Sequence, residues 1–279
     1  MRNIALTVLA ASLLTPALAL AEPTADELET RATELRDKLS GQGYTVLVEA
    51  PFVVVGDGPA AQVRHIAKGF LHDKASMLEK DFFDKRPERL LEVWLFQNER
   101  AFRKGAKKFF GDGPDTPFGY YSPDHNALIM NASGLGTLSH ELVHPYMEIN
   151  FPDVPSWFNE GFASLFEYPS ERKGHIIGLV NWRLPELKKE IRAKTLPAMT
   201  KLMGTTTDEF YGADYDAYAF ARYIMYYLQE HDQLHAFYTA FRADKKDLTG
   251  QAALESVLGE DLATFEPKWR AWVLQLKGD

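Results

Sequence analysis

Between Ser139 and Ser164 the chain reads SHELVHPYMEINFPDVPSWFNEGFAS. His140 and His144 are four residues apart, so on a helix they lie on one face, one turn above each other. Two imidazoles placed in this way can aim at one metal ion. Glu141 is one step round the same helix, beside the point where a water on that ion would sit. Apolar Leu142 and Val143 fill the two intervening positions, as a helix buried on one side requires. Pro145 follows directly and cannot donate to the carbonyl of Glu141, so the helix is expected to bend there or to end soon after.

Two imidazoles and a carboxylate form a common catalytic zinc shell that leaves one position open for water. Glu148 is a poor third ligand. Positions 140, 144 and 148 on one straight helix span about 12 Å, whereas zinc ligands stand about 2 Å from the ion. A third histidine in the H-E-x-x-H-x-x-G-x-x-H arrangement is also excluded, because Met147 and Asn150 occupy the required positions. Glu160 fits instead. Phe151 to Pro155 reads as a turn with two prolines, and Pro155 or Ser156 can start a second helix that returns against the first. Asn159 and Ser164 could then orient ligands by hydrogen bonding.

With these residues in view, the segment resembles the gluzincin metallopeptidases. Its Asn159 to Ser164 string is similar to that of aminopeptidase N-like enzymes. The Gly-x-Met-Glu-Asn element that binds a free amino end in those enzymes is absent, so an aminopeptidase is not implied. The closer resemblance is to the peptidase-MA-like group of small gluzincins. It runs from about Tyr44 to Trp272 and includes Pro155 to Gly161 and, later, Tyr218 to Tyr223 before Tyr226-Tyr227-Leu228. It implies a zincin-like fold, Zn2+ as the metal, His140, His144 and Glu160 as its ligands, and Glu141 as general base. It also implies Tyr218 as a hydrogen-bond donor to the oxyanion, with Tyr215, three residues earlier, as the alternative.

Outward from this segment, strand and helix periodicities mix before residue 133 and helix dominates after it. Helices are expected over Ala25 to Leu39, Ala60 to Phe82 and Glu99 to Phe110. Strands are expected over Tyr44 to Val48, Phe52 to Val55 and Leu90 to Phe96, with a hairpin pairing Tyr120-Tyr121 with Ala127 to Met130. The fold class is therefore α+β, with a small mixed or antiparallel sheet, an active-site helix and a helical C-terminal half. One catalytic unit is expected over 22–279, with an α/β lobe to residue 150 and a helical lobe from 151. By resemblance to zincins, the strand at Ala127 to Met130 would pair with an extended substrate. His65, His72, His125, His175, His231 and His235 read as structural or exposed, although the last two are four apart.

The first 21 residues have the pattern of a secretory signal: Arg2, an apolar run from Ile4 to Leu14, and the small-x-small site Ala19-Leu20-Ala21. Export to a periplasm or the extracellular space is expected, with no membrane attachment after cleavage. The 279 residues contain no cysteine, which rules out disulfides, thiolate metal sites and a catalytic thiol. A formal net charge of −8 disfavours nucleic acid as a partner. The leading expectation is an exported zinc-dependent peptidase acting on a peptide or protein. The alternative is a catalytically silent, zinc-stabilised exported binding or assembly module.

Overall fold

The computed structural model describes residues 22–278; the expected signal segment lies outside the described residues. Seven strands and thirteen α-helices follow in the order α1 (Ala25–Lys38), β1 (Thr45–Glu49), β2 (Phe52–Gly56), α2 (Ala60–His65), α3 (His72–Asp81), β3 (Leu91–Phe96), α4 (Glu99–Phe110), β4 (Gly119–Ser122), β5 (Ala127–Asn131), α5 (Leu135–Asn150) and α6 (Ser156–Leu165). The second half continues with β6 (Pro169–Arg172), β7 (His175–Gly178), α7 (Leu184–Ala193), α8 (Met199–Met203), α9 (Thr207–Tyr211), α10 (Ala217–Glu230), α11 (Leu234–Ala243), α12 (Gln251–Leu258) and α13 (Leu262–Gln275). A π-helical stretch, Ile66–Leu71, joins α2 to α3. The architecture is mixed α+β, with a small mixed sheet and a helical second half.

The main sheet has the order β1-β2-β3-β5-β4. β2, β3 and β5 run parallel, and β1 and β4 are antiparallel edges. The three central strands are apolar at nearly every position because helices cover both faces. Successive side chains alternate between the faces. Val53, Val55, Trp94, Phe96, Ala127 and Ile129 meet α1 and α4 on one side. Phe52, Val54, Val93, Leu95, Leu128 and Met130 face the core shared with α5 and the helical half on the other. α1 therefore packs on the side of the sheet away from α5 and does not cover the metal-ligand helix. It is well delimited. Thr24 and Glu27 form a reciprocal capping box at its start, and Gly41 and Gly43, both at positive φ, turn the chain after it.

Two expectations need correction. The strand Ala127–Asn131 is paired on both sides, with β3 and with β4, so it has no free edge to offer a substrate. The sheet edge next to it is β4. The second half also contains a hairpin, β6–β7, around Lys173 and Gly174 at positive φ. Its four-residue strands are too short to stand out from the helical surroundings. Helix α5 carries Pro145 inside it and ends soon after, at Asn150, whose side-chain amide donates to the Tyr146 carbonyl at 2.9 Å.

Candidate metal centre

α5 and α6 lie side by side, and their facing turns bring His140, His144 and Glu160 together. The ligand atoms of the three lie within 4.8 Å of one another. Among the described residues this is the one convergent group of three such side chains. The Nε2 of His140 stands 3.1 Å from Glu160 Oε2, and the Nε2 of His144 stands 3.9 Å from the same oxygen. Each imidazole is held from behind through Nδ1. His144 Nδ1 is 3.1 Å from Asn159 Oδ1. His140 Nδ1 faces the Ser164 hydroxyl at 3.5 Å and Glu167 Oε1 at 3.6 Å. The other oxygen of Glu160 accepts a 2.6 Å hydrogen bond from Tyr211. Acceptors behind both rings favour a proton on Nδ1, which leaves the Nε2 lone pairs and Glu160 Oε2 pointing at one spot. This donor set fits a divalent metal.

Close helix packing makes the approach possible. A Cβ on Gly161 would stand 2.8 Å from the Cβ of Ala221 and 3.0 Å from its backbone, so glycine lets α10 touch α6 directly beside Glu160. Trp157, Phe158 and Phe162, on the other side of α6, are fully buried in the core. At the start of α5, a Cβ on Gly136 would lie 2.2 Å from the carbonyl oxygen of Glu167. That contact sets the turn carrying Glu167 against the helix carrying His140.

Glu141 lies between the three ligands and the sheet edge. Its Oε2 accepts the Tyr121 N–H at 3.0 Å and is 3.8 Å from His144 Nε2. The Phe118 carbonyl bonds inward to the N–H of Asn131 at 2.7 Å. By the alternation of an antiparallel ladder, Gly119 and Tyr121 then direct their N–H and C=O groups outward, to the cleft. Burial pushes the Glu141 carboxyl up, and Glu160 adds to this against the opposing charges of His140 and His144 and the Tyr121 N–H. Burial also opposes a charge on His140, but its hydrogen bond to Glu160 and the charges of Glu141, Glu160 and Glu167 outweigh it and lift the imidazole to about 9. For Glu160 burial is again outweighed, by the two histidines and Tyr211, and the carboxyl is lowered to about 2.

Two cavities open on either side of this group. One, about 450 Å³, is lined by Tyr121, Glu148, Val154, Asn159 and Tyr211. The other, about 710 Å³, is lined by Phe118, Gly119, Leu135, Trp182 and Arg183. Tyr218 borders both. Phe118, Trp182 and Tyr211, among the few large apolar side chains exposed to solvent, stand 53%, 64% and 55% exposed around this cleft. Glu148 is not with the ligands; its carboxylate accepts from the Tyr121 hydroxyl at 2.9 Å. Tyr215 lies elsewhere. It lines a separate cavity with Thr205 and Gly212, and its hydroxyl has no partner. Of the two tyrosines, only Tyr218 lines the cavities beside His140, His144 and Glu160.

Sequence reading missed Tyr211, Glu167 and Arg183. Tyr211 ends a five-residue helix, too short for a periodic pattern, and only the capping box Thr206–Glu209 marks that helix. Glu167 and Arg183 belong to no motif and meet only in the folded chain. Three of the remaining histidines have other partners. His72 Nδ1 is 3.1 Å from Glu49, His175 Nδ1 is 2.7 Å from Asp81, and His231 stacks on Tyr227 at 3.9 Å.

Residues 135–248 match the model of a family described as a protein of unknown function, DUF1570. The matched stretch begins with α5 and holds the three ligands together with Glu141, Glu167, Arg183, Tyr211 and Tyr218. No curated protein matches the chain.

Proposed function

We propose that this protein is an exported zinc-dependent peptidase of the gluzincin type with a zincin-like fold. The observation that carries the reading is the position of Glu141. It stands between a sheet edge with outward-facing backbone groups and a buried His140–His144–Glu160 group. A group serving only to hold a metal has no need of a fourth, unligated carboxylate at that place. Two imidazoles and one carboxylate favour zinc over harder ions, which prefer oxygen donors throughout.

A zinc ion on these residues would supply Lewis acidity to a substrate carbonyl and acidify a water. The chain's own groups do the rest. Gly119, through its N–H and C=O, and Tyr121, through its C=O, pair with an extended peptide on β4 and hold its scissile bond over the cleft. Glu141 takes a proton from the attacking water and later delivers it to the leaving amine as the C–N bond breaks. Its raised pKa suits a group that must carry a proton between the two steps. Tyr218 borders both cavities, where its hydroxyl can donate to the developing oxyanion. The larger cavity beside Phe118 and Trp182 receives a substrate side chain.

The test is digestion of a broad peptide library by the purified mature chain, with metal analysis of the same sample. The expected result is cleavage that a chelator abolishes and zinc restores. Bound zinc without cleavage would instead favour a silent binding or assembly module.

A further inference from the structure

A second buried ion pair lies directly behind His140. Glu167 is 6% exposed. Both its oxygens are occupied on the side away from the histidine. Arg183 forms a fork with it, Nε at 2.9 Å from Oε2 and Nη2 at 2.7 Å from Oε1, and the Asn181 amide donates to Oε2 at 2.9 Å. The Oε1 that receives Arg183 is the atom facing His140 Nδ1. The same guanidinium lies over the Tyr218 ring, 5.0 Å from its centroid. Its third nitrogen is 3.7 Å from Asp216 Oδ1. Asp216 is the N-cap of α10, where that oxygen accepts the Ala219 N–H at 2.8 Å. Arg183 thus touches the carboxylate behind one metal ligand, the ring of the oxyanion tyrosine, and the cap of the helix that carries this tyrosine.

We infer that Arg183 and Glu167 form a positioning pair that fixes His140 and Tyr218 relative to each other. Its role toward Tyr218 rests on the peptidase reading; its role toward His140 rests only on the metal site. A buried carboxylate needs a fixed cation to remain a good acceptor. Arg183 supplies that cation in a planar fork which lysine cannot reproduce. The carboxylate, in charge contact with His140 Nδ1 at 3.6 Å, then favours the ring with its proton on that side and its Nε2 lone pair toward the metal point. The stacked guanidinium prevents the Tyr218 ring from swinging away from the cleft. No hydrogen bond to a ligand is needed for Arg183 to act, so removing it separates positioning from ligation.

The experiment uses the mature chain with zinc and with cobalt as a spectroscopic substitute. Arg183→Met and Glu167→Gln are each expected to weaken zinc binding by about 10- to 100-fold in a chelator competition. Both should also change the visible ligand-field bands of the cobalt form. Arg183→Met should further lower kcat with little change in KM, and Arg183→Lys should recover only part of the loss. Wild-type zinc affinity and an unchanged cobalt spectrum in Arg183→Met would overturn the proposal. If that variant does not fold, Glu167→Gln, nearly identical in shape, is judged by the same affinity and spectrum. If the wild-type chain binds zinc but cleaves nothing, the peptidase reading fails, while the affinity and cobalt results still decide the pair.

Discussion

Of the buried carboxylates, Glu92 in the sheet and Glu160 in α6 are held under different terms. Glu92 interrupts the apolar strand β3, and both its oxygens are consumed. Arg31 of α1 donates to Oε1 at 2.7 Å and the Trp94 indole donates to Oε2 at 2.7 Å. Glu160 has one oxygen taken by Tyr211, while the other faces two imidazoles. The first arrangement is closed and ties a helix to a sheet. The second keeps a charged acceptor and two lone pairs aimed at one point, which is worth its burial only if something binds there. The contrast extends to the surroundings. In the helical half Ser139, His140, Glu160, Ser164, Glu167, Asn181 and Arg222 are all buried. This buried polarity clusters around the candidate metal site.

The sharpest way to break this comparison is to treat both carboxylates alike. Glu160→Ala should weaken zinc binding roughly a thousandfold, since structural zinc sites gain about 10–16 kcal/mol shared among their ligands. Glu92→Gln should leave zinc affinity unchanged and instead lower stability by about 1–3 kcal/mol in a denaturant titration. Equal zinc affinity in both variants would remove the distinction.

Glu141→Gln isolates the unligated carboxylate. Metal content should persist, and kcat for peptide cleavage should fall by about 10²- to 10⁴-fold. A variant cleaving at the wild-type rate would end the mechanism given above.

Gly161→Ala tests whether Glu160 depends on the close seam between α6 and α10. The added methyl meets Ala221 at 2.8 Å, so the helices must separate. A loss of about 1–3 kcal/mol in stability is expected, with a measurable fall in zinc affinity. A substitution on the exposed side of α1, Thr33→Ala for instance, should do neither.

The smallest effect is the dependence on pH. His140, lifted to about 9 in the metal-free protein, must lose its proton before it can bind a metal. Zinc affinity should therefore rise between pH 7 and about 9 and then level, as a competition titration at several pH values would show. The stability of the metal-free protein should move the other way. A raised histidine pKa contributes stability that is fully present below about 6.5 and is lost as pH climbs through about 9. Glu160, lowered to about 2, contributes stability above about 4.5 that is lost as pH falls toward 2.

Much of the fold was legible because local rules act over short stretches. Helix α4 begins and ends where the sequence places it, set by Asn98 as N-cap and Gly111 in the left-handed region. β2 and β3 were evident from runs of β-branched and aromatic residues. The β6–β7 hairpin was not, because its few residues follow no period strong enough to stand out. Pro145 left open whether the helix bends there or ends soon after it, and the structure carries α5 on to Asn150. The neighbouring turns of α5 are held by packing and by Asn150, so one missing backbone hydrogen bond does not end the helix.

The sequence by itself singled out the candidate metal-binding group. His140 and His144 follow from their spacing on one helix face, and Glu160 from the motif downstream, which the fold brings beside them. The sequence also pointed to Glu141 and Asn159, which sit next to those residues in the chain. Only the tertiary structure decided which strand is the open edge, because pairing order in a sheet is a non-local property. Only it separated Tyr218 from Tyr215 and brought in Tyr211 from a short helix. Only it joined Glu167 to Arg183, sixteen residues apart, behind His140. A carboxylate and a guanidinium are ordinary surface residues in any sequence, and burial together is what gives them a role.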